Sequence, residues 1–115
     1  MADPRLILPL DVPTRAEAET MVDRLGDAVG FYKIGLQLFA GEGMALAAAL
    51  KAAGLSVFLD WKLLDIGATV EKAAAALAAT GAGDLLTVHA QPQALAAAVR
   101  GVQGSGLKVL GVTVL

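Results

Sequence analysis

The sequence predicts an α/β fold of (β/α)8-barrel type, with about the first five strands and four helices of such a barrel in its 115 residues. Three observations carry this reading. Short runs rich in Leu and β-branched residues recur roughly every 25 residues, the length of one strand plus one crossover helix. The segments between them have helical patterning with recognisable starts and stops. The runs are apolar on both sides, as parallel strands covered on both faces require.

The first strand is expected over 5–10 and is followed by a helix that opens at Thr14, where Thr14 and Glu17 have capping-box spacing. Ala18, Met21, Val22 and Leu25 fall on one face of that helix, and Gly26 stops it. The second strand is expected over 31–35 and the second helix over 42–53, ending at Gly54. The third strand covers 56–60, and the third helix runs from about Thr69 to Thr80 with Gly81 as its stop. The fourth strand covers 84–89; Pro92 suits the first turn of the fourth helix, whose apolar stretch 94–102 ends among Gly101 and Gly104. A fifth strand is expected over 108–115.

Two architectures satisfy that alternation: an open, flavodoxin-like doubly wound sheet, or part of a closed barrel. Eight units of about 25 residues need roughly 200, so 115 residues form a partial barrel domain, 1–115. The fifth strand would end without a covering helix, an exposed parallel edge that argues for a piece of something longer or for assembly with another copy. Residue patterning alone leaves the flavodoxin-like alternative open.

Composition excludes several functions. Nine Lys+Arg against eleven Asp+Glu give a net charge of −2, without the basic excess of a nucleic-acid footprint. At 57% hydrophobic and 17% charged residues the chain is a core former, not a disordered tail. With no cysteine and one histidine, no disulfide framework, thiolate nucleophile, Cys-ligated metal or His-rich metal centre can form, and a reducing cytoplasm is compatible. Asp3 and Pro4 stand where a signal peptide needs a basic start, and Lys51, Asp60, Lys62, Asp65 and Asp84 interrupt every long apolar stretch short of the length of a membrane span. The glycines at Gly41, Gly43, Gly104 and Gly106 match no nucleotide-binding fingerprint.

In both architectures the reactive rim is the carboxyl end of the strands, and the ionisable residues gather there: Asp11, Lys33, Asp60 with Lys62, and His89. The densest group is Asp60-Trp61-Lys62-Leu63-Leu64-Asp65. Residues two apart on a strand share a face, so Asp60 and Lys62 are expected together, with Asp65 returning to them or reaching a neighbouring chain. A carboxylate about 4 Å from an ammonium interacts by roughly 4 kcal/mol at an intermediate dielectric, which keeps the lysine charged. A charged lysine is a poor nucleophile but a good proton donor and a good partner for developing carbanion charge. The same residues would also make a plain ion-pair network at a strand end. Lys33 interrupts an apolar strand and needs a partner, for which Asp60 is the candidate; Asp11 also suits a turn before a helix. His89 reads as a rim histidine and Trp61 as packing.

The pieces Pro9-Leu10-Asp11-Val12-Pro13, Phe31-Tyr32-Lys33-Ile34-Gly35, Asp60-Trp61-Lys62-Leu63-Leu64-Asp65-Ile66, Leu86-Thr87-Val88-His89-Ala90 and Gly111-Val112-Thr113-Val114-Leu115 follow in order across the chain. In them the sequence resembles the orotidine 5′-phosphate decarboxylase family. The resemblance implies a cytoplasmic, homodimeric (β/α)8-barrel lyase of pyrimidine biosynthesis that turns orotidine 5′-phosphate into uridine 5′-phosphate and CO2, with no cofactor and no metal. It implies Lys62 as proton donor to C6, Asp60 pressing on the departing carboxylate, and Asp11 and Lys33 on ribose hydroxyls. Asp65 and Thr69 are implied to serve the partner subunit's site. Sugar-phosphate relatives that share Asp-x-Lys-x-x-Asp and use magnesium carry an acid at the second strand, where this chain has Lys33. Two departures stand out: Ala68 replaces the family's usual Asn before Thr69, and the family's phosphate-gripping Gly and Arg and its pyrimidine-binding residues after the fifth strand are not among these residues.

Overall fold

The computed structural model describes residues 2–115 and contains the predicted alternation. Strand β1 is Leu8–Pro9, followed by helix α1 at Arg15–Leu25; β2 is Phe31–Ile34 and α2 Gly43–Ala52; β3 is Ser56–Leu63 and α3 Gly67–Thr80; β4 is Leu85–His89, α4 Pro92–Gly101 and β5 Lys108–Val112. Short 3-10 turns at Gly26–Ala28 and Leu36–Leu38 link α1 to β2 and β2 to α2. All neighbouring strands pair in parallel, in the spatial order β1-β2-β3-β4-β5. A flavodoxin-like sheet reverses its strand order partway, whereas a barrel adds each strand beside the last. The observed order is that of the barrel.

One face of the sheet is fully packed and the other is not. Leu10, Tyr32, Ile34, Val57, Leu59, Leu86 and Val88 are solvent-excluded and form the main core with Leu38, Leu46, Val70 and Ala97 from the connections and helices. Phe31, Lys33, Phe58 and Leu85, on the opposite face, are only half-buried. This corrects the expectation of two covered faces. Sequential strand order keeps the helices on one side, and the second face is the one that lines the interior in a closed barrel.

Element ends differ from expectation for local reasons. β1 is shorter than 5–10 because Asp3 turns the chain: its carboxylate accepts from the Arg5 backbone N–H at 2.9 Å and its carbonyl from Leu6 N–H at 3.0 Å. The Thr14 hydroxyl accepts from Glu17 N–H at 3.2 Å, the N-cap contact foreseen for α1. α3 starts two residues before Thr69, with the Asp65 carboxylate accepting from Ile66 N–H at 2.7 Å just ahead of its first turn. β5 ends at Val112 rather than continuing to Leu115.

Two contacts hold the layers together and make testable points. At the amino ends of the strands, Asp84 accepts from Lys51 Nζ at 2.9 and 3.0 Å and from Val57 N–H at 2.8 Å, tying the last turn of α2 to β3 and β4. Asp84→Ala is expected to cost about 1–2 kcal/mol and to speed exchange of the Val57 amide proton. On the outer layer α3 and α4 approach closely because both carry small residues. A Cβ at Gly101 would press on the Glu71 carbonyl and lie 3.1 Å from both Ala74 Cβ and Ala75 N. Gly101→Ala is therefore expected to lower the urea midpoint, at a cost of about 1–3 kcal/mol, despite the better helix propensity of Ala.

Candidate active site

Strand register decides which side chains meet. Pro9 pairs with Lys33, Lys33 with Phe58, Phe58 with Leu85, and Leu85 with Lys108, so these positions and every second residue after them share the half-buried face. Asp11, Lys33, Asp60, Thr87 and His89 all fall in that set. The chemistry-bearing residues thus stand on one face, at the carboxyl ends of four successive strands.

Asp60 is the hub. Its Oδ2 accepts from Lys33 Nζ at 3.0 Å and from Lys62 Nζ at 2.9 Å, and its Oδ1 accepts from the Thr87 hydroxyl at 2.7 Å. Its side chain is 9% exposed, against 25% for Lys33 and 33% for Lys62, so the carboxylate lies at the base of the cluster and the ammonium groups nearer its mouth. Burial by itself would raise the Asp60 pKa; the hydrogen bonds from Lys62, Thr87 and Lys33 and the charge of Lys33 outweigh it and lower the value to about 2. Asp60 is ionised at neutral pH, and two ammonium groups against one carboxylate leave a positive charge uncompensated among the three. Such a cluster suits an anionic ligand or a transition state that gains negative charge.

Lys62 reaches Asp60 by a route that regular strand alternation does not supply. Leu59 pairs with Leu86 and Leu63 with Val88, so Asp60, Trp61 and Lys62 stand opposite the single residue Thr87. β3 bulges there, and Lys62 takes the left-handed conformation at φ 47°. A non-glycine residue in that region costs about 1 kcal/mol or more, a strain that recurs at functional sites. Trp61 turns to the packed face, 5% exposed and edge-on to Phe39 with ring centroids 5.1 Å apart. β3 runs to Leu63, beyond the expected end at Asp60, because the charged residues belong to the bulge.

The remaining sequence-predicted residues are placed as follows. Asp11 Oδ1 and Lys33 Nζ lie 3.8 and 3.6 Å from the point a Cβ would occupy at Gly35, so Asp11 flanks the cluster without pairing into it. Asp65 and Thr69 are exposed, at the start of α3, and Asp65 bonds to the Ile66 backbone rather than to Lys62. Asp65 therefore does not return to Lys62 within the chain, and the cluster is one carboxylate between two lysines. His89 closes β4 on a cleft of about 360 Å³ shared with Leu64, Gln91 and Thr113. Among the described residues no three His, Asp or Glu side chains converge as a bound cation would need. Thr87 was not among the residues the sequence points to; its signal is a hydroxyl in the middle of an otherwise apolar buried strand, where it must find partners.

Five parallel strands in sequential order, with charged side chains gathered above their carboxyl ends, define part of a (β/α)8 barrel, a class whose ligand chemistry sits at that rim. Sequence comparison gives the family within that class. The chain belongs to the orotidine 5′-phosphate decarboxylase / HUMPS family, whose family model matches residues 4–115. It is 65% identical over 114 residues to the orotidine 5′-phosphate decarboxylase of Caulobacter vibrioides, covering 99% of this chain and 48% of that protein. It is 55% identical over 116 residues to the enzyme of the same name from Cereibacter sphaeroides, covering all of this chain and 50% of that protein. The crystal structure of orotidine 5′-phosphate decarboxylase from Lactobacillus acidophilus matches with a TM-score of 0.85 at 34% identity, over 96% of this chain and 53% of that one. The chain spans about half the length of the curated relatives it matches, the amino-terminal portion of the family fold.

Proposed function

We propose that the protein carrying this chain is an orotidine 5′-phosphate decarboxylase, a lyase acting in the cytoplasm that releases CO2 from orotidine 5′-phosphate and leaves uridine 5′-phosphate. The observation that carries this reading is the Asp60 carboxylate bridging Lys33 and Lys62 at the rim of a chain from this family. In the reaction the bond between C6 and its carboxylate breaks, the electron pair stays on C6, and the carboxylate leaves as CO2. The Lys62 ammonium, held toward Asp60, stabilises the pair and then gives C6 its proton. Asp60, ionised and fixed, repels the substrate carboxylate in the ground state and ceases to do so once CO2 has gone. Asp11 and Lys33, both close to Gly35, hold ribose hydroxyls. No cofactor and no metal enter this scheme, since the ammonium supplies both charge and proton.

Asp65 and Thr69 act in the site of the partner subunit of a homodimer. Their exposure supports this, as does the apolar surface beside them: Leu64 and Ile66, which flank Asp65, are each more than half exposed, at 54% and 71%. Surface of that kind calls for a covering partner. Lys33 at the second strand, paired to Asp60, favours the orotidine branch over the magnesium-using sugar-phosphate relatives, which place an acid there. The test is the loss of orotidine 5′-phosphate absorbance on mixing with the full-length gene product. Turnover without added metal is expected; no turnover, or turnover of a sugar phosphate with magnesium instead, contradicts the proposal.

A further inference from the structure

The β3 bulge leaves a gap in the sheet that one side chain fills. Opposite Thr87 stand three residues of β3 in place of one, so the ladder between β3 and β4 is interrupted at Asp60, Trp61 and Lys62. There the Lys62 backbone N–H donates to Thr87 Oγ1 at 3.1 Å, and that hydroxyl donates to Asp60 Oδ1 at 2.7 Å. Thr87 is 6% exposed and uses its hydroxyl both as acceptor and as donor. We propose that Thr87 is a positioning residue for the Asp60–Lys62 pair, its hydroxyl fixing the left-handed backbone of Lys62 and the rotation of the Asp60 carboxylate in a single relay.

The two ends of the relay constrain different things. Lys62 at φ 47° has left the regular strand, and the contact to Thr87 stands in for the ladder bond its N–H would otherwise make. At the other end, Oδ2 of Asp60 takes both ammonium groups only while Oδ1 is held on Thr87; a carboxylate free to rotate could offer one oxygen to each lysine. Loss of the hydroxyl therefore redirects Lys62 Nζ without removing any charge. The consequence for catalysis rests on the decarboxylase reading, whereas the consequence for Asp60 does not.

The experiment compares Thr87→Val, nearly isosteric and without the hydroxyl, with Thr87→Ser, which keeps it, in the full-length gene product. The Asp60 carboxyl is titrated by carbon-13 NMR and kcat and KM for orotidine 5′-phosphate are measured. The Val variant is expected to titrate Asp60 at higher pH than wild type and to lose about tenfold to a hundredfold in kcat with KM near the wild-type value; Ser restores both. If Val does not fold, Ser against Ala makes the same comparison. An Asp60 midpoint unchanged without the hydroxyl, or a Ser variant no better than Val, overturns the proposal. If the wild type fails to decarboxylate, the function proposed above falls, and the Asp60 midpoints still decide the role of Thr87.

Discussion

Replacing Lys62 by Ala is expected to lower kcat for orotidine 5′-phosphate decarboxylation by about 10⁴-fold while leaving the fold intact. A positioned general acid contributes about 10²–10⁴-fold, and a charge aimed at the reacting atom contributes about 10²–10³-fold more. In the proposed mechanism Lys62 would unite the two roles in one ammonium group. Stability changes little, because its side chain is a third exposed and Asp60 keeps Lys33 and Thr87 as donors. Lys62→Arg separates the roles: a guanidinium keeps the charge but holds its proton too tightly to donate it. Rates of the Ala and Arg variants, with circular dichroism confirming the fold, check the assignment. A Lys62→Ala enzyme within tenfold of wild type contradicts it.

Asp60→Asn has the second-largest expected effect and reads out twice. With the carboxylate gone, Lys33 and Lys62 face one another without the anion between them, and turnover is expected to fall about 10²–10³-fold. The second readout is stability against pH. The pKa of Asp60 is lowered in the folded chain from 3.8 to about 2, so ionisation favours folding. That contribution, about 2 kcal/mol, is fully present above about pH 4 and is lost as the pH falls toward 2. The wild type minus Asn difference in unfolding free energy should therefore shrink across that window and stay flat above it. A difference independent of pH between 2 and 6 would mean that Asp60 is not held ionised by its neighbours.

Most of the fold was legible in the sequence because parallel β/α units declare themselves locally. The apolar run from Phe31 to Ile34, the Thr14 cap and the stops at Gly26 and Gly81 are each decided by neighbours a few residues away. Rim residues were legible for the same reason: a charge within an apolar strand, such as Asp60 or Lys33, must find a partner. What remained hidden depends on pairing across strands. Residue patterning could not separate a barrel from a doubly wound sheet, since strand order is a tertiary property. Nor could it show that three residues of β3 oppose Thr87, because a bulge lies in the register between strands and not in the composition of either. The expectation that Asp60 and Lys62 meet is matched by the structure, yet regular alternation is not the cause: Lys62 at φ 47° is off the strand. Asp65 and Thr69 mark a different limit, since both are exposed and within one chain look like ordinary surface.

The central claim is that an ammonium at position 62, held by Asp60, carries the chemistry, and it can be removed and put back. These 115 residues contain no cysteine, so Lys62→Cys introduces one thiol into this part of the protein, and aminoethylation of that thiol rebuilds an ammonium at nearly the lysine reach. The account predicts that the Cys enzyme is inactive toward orotidine 5′-phosphate and that aminoethylation restores a substantial part of the wild-type rate. An aminoethylated enzyme that stays at the level of the unmodified Cys variant, or a Cys variant already as fast as wild type, would contradict it.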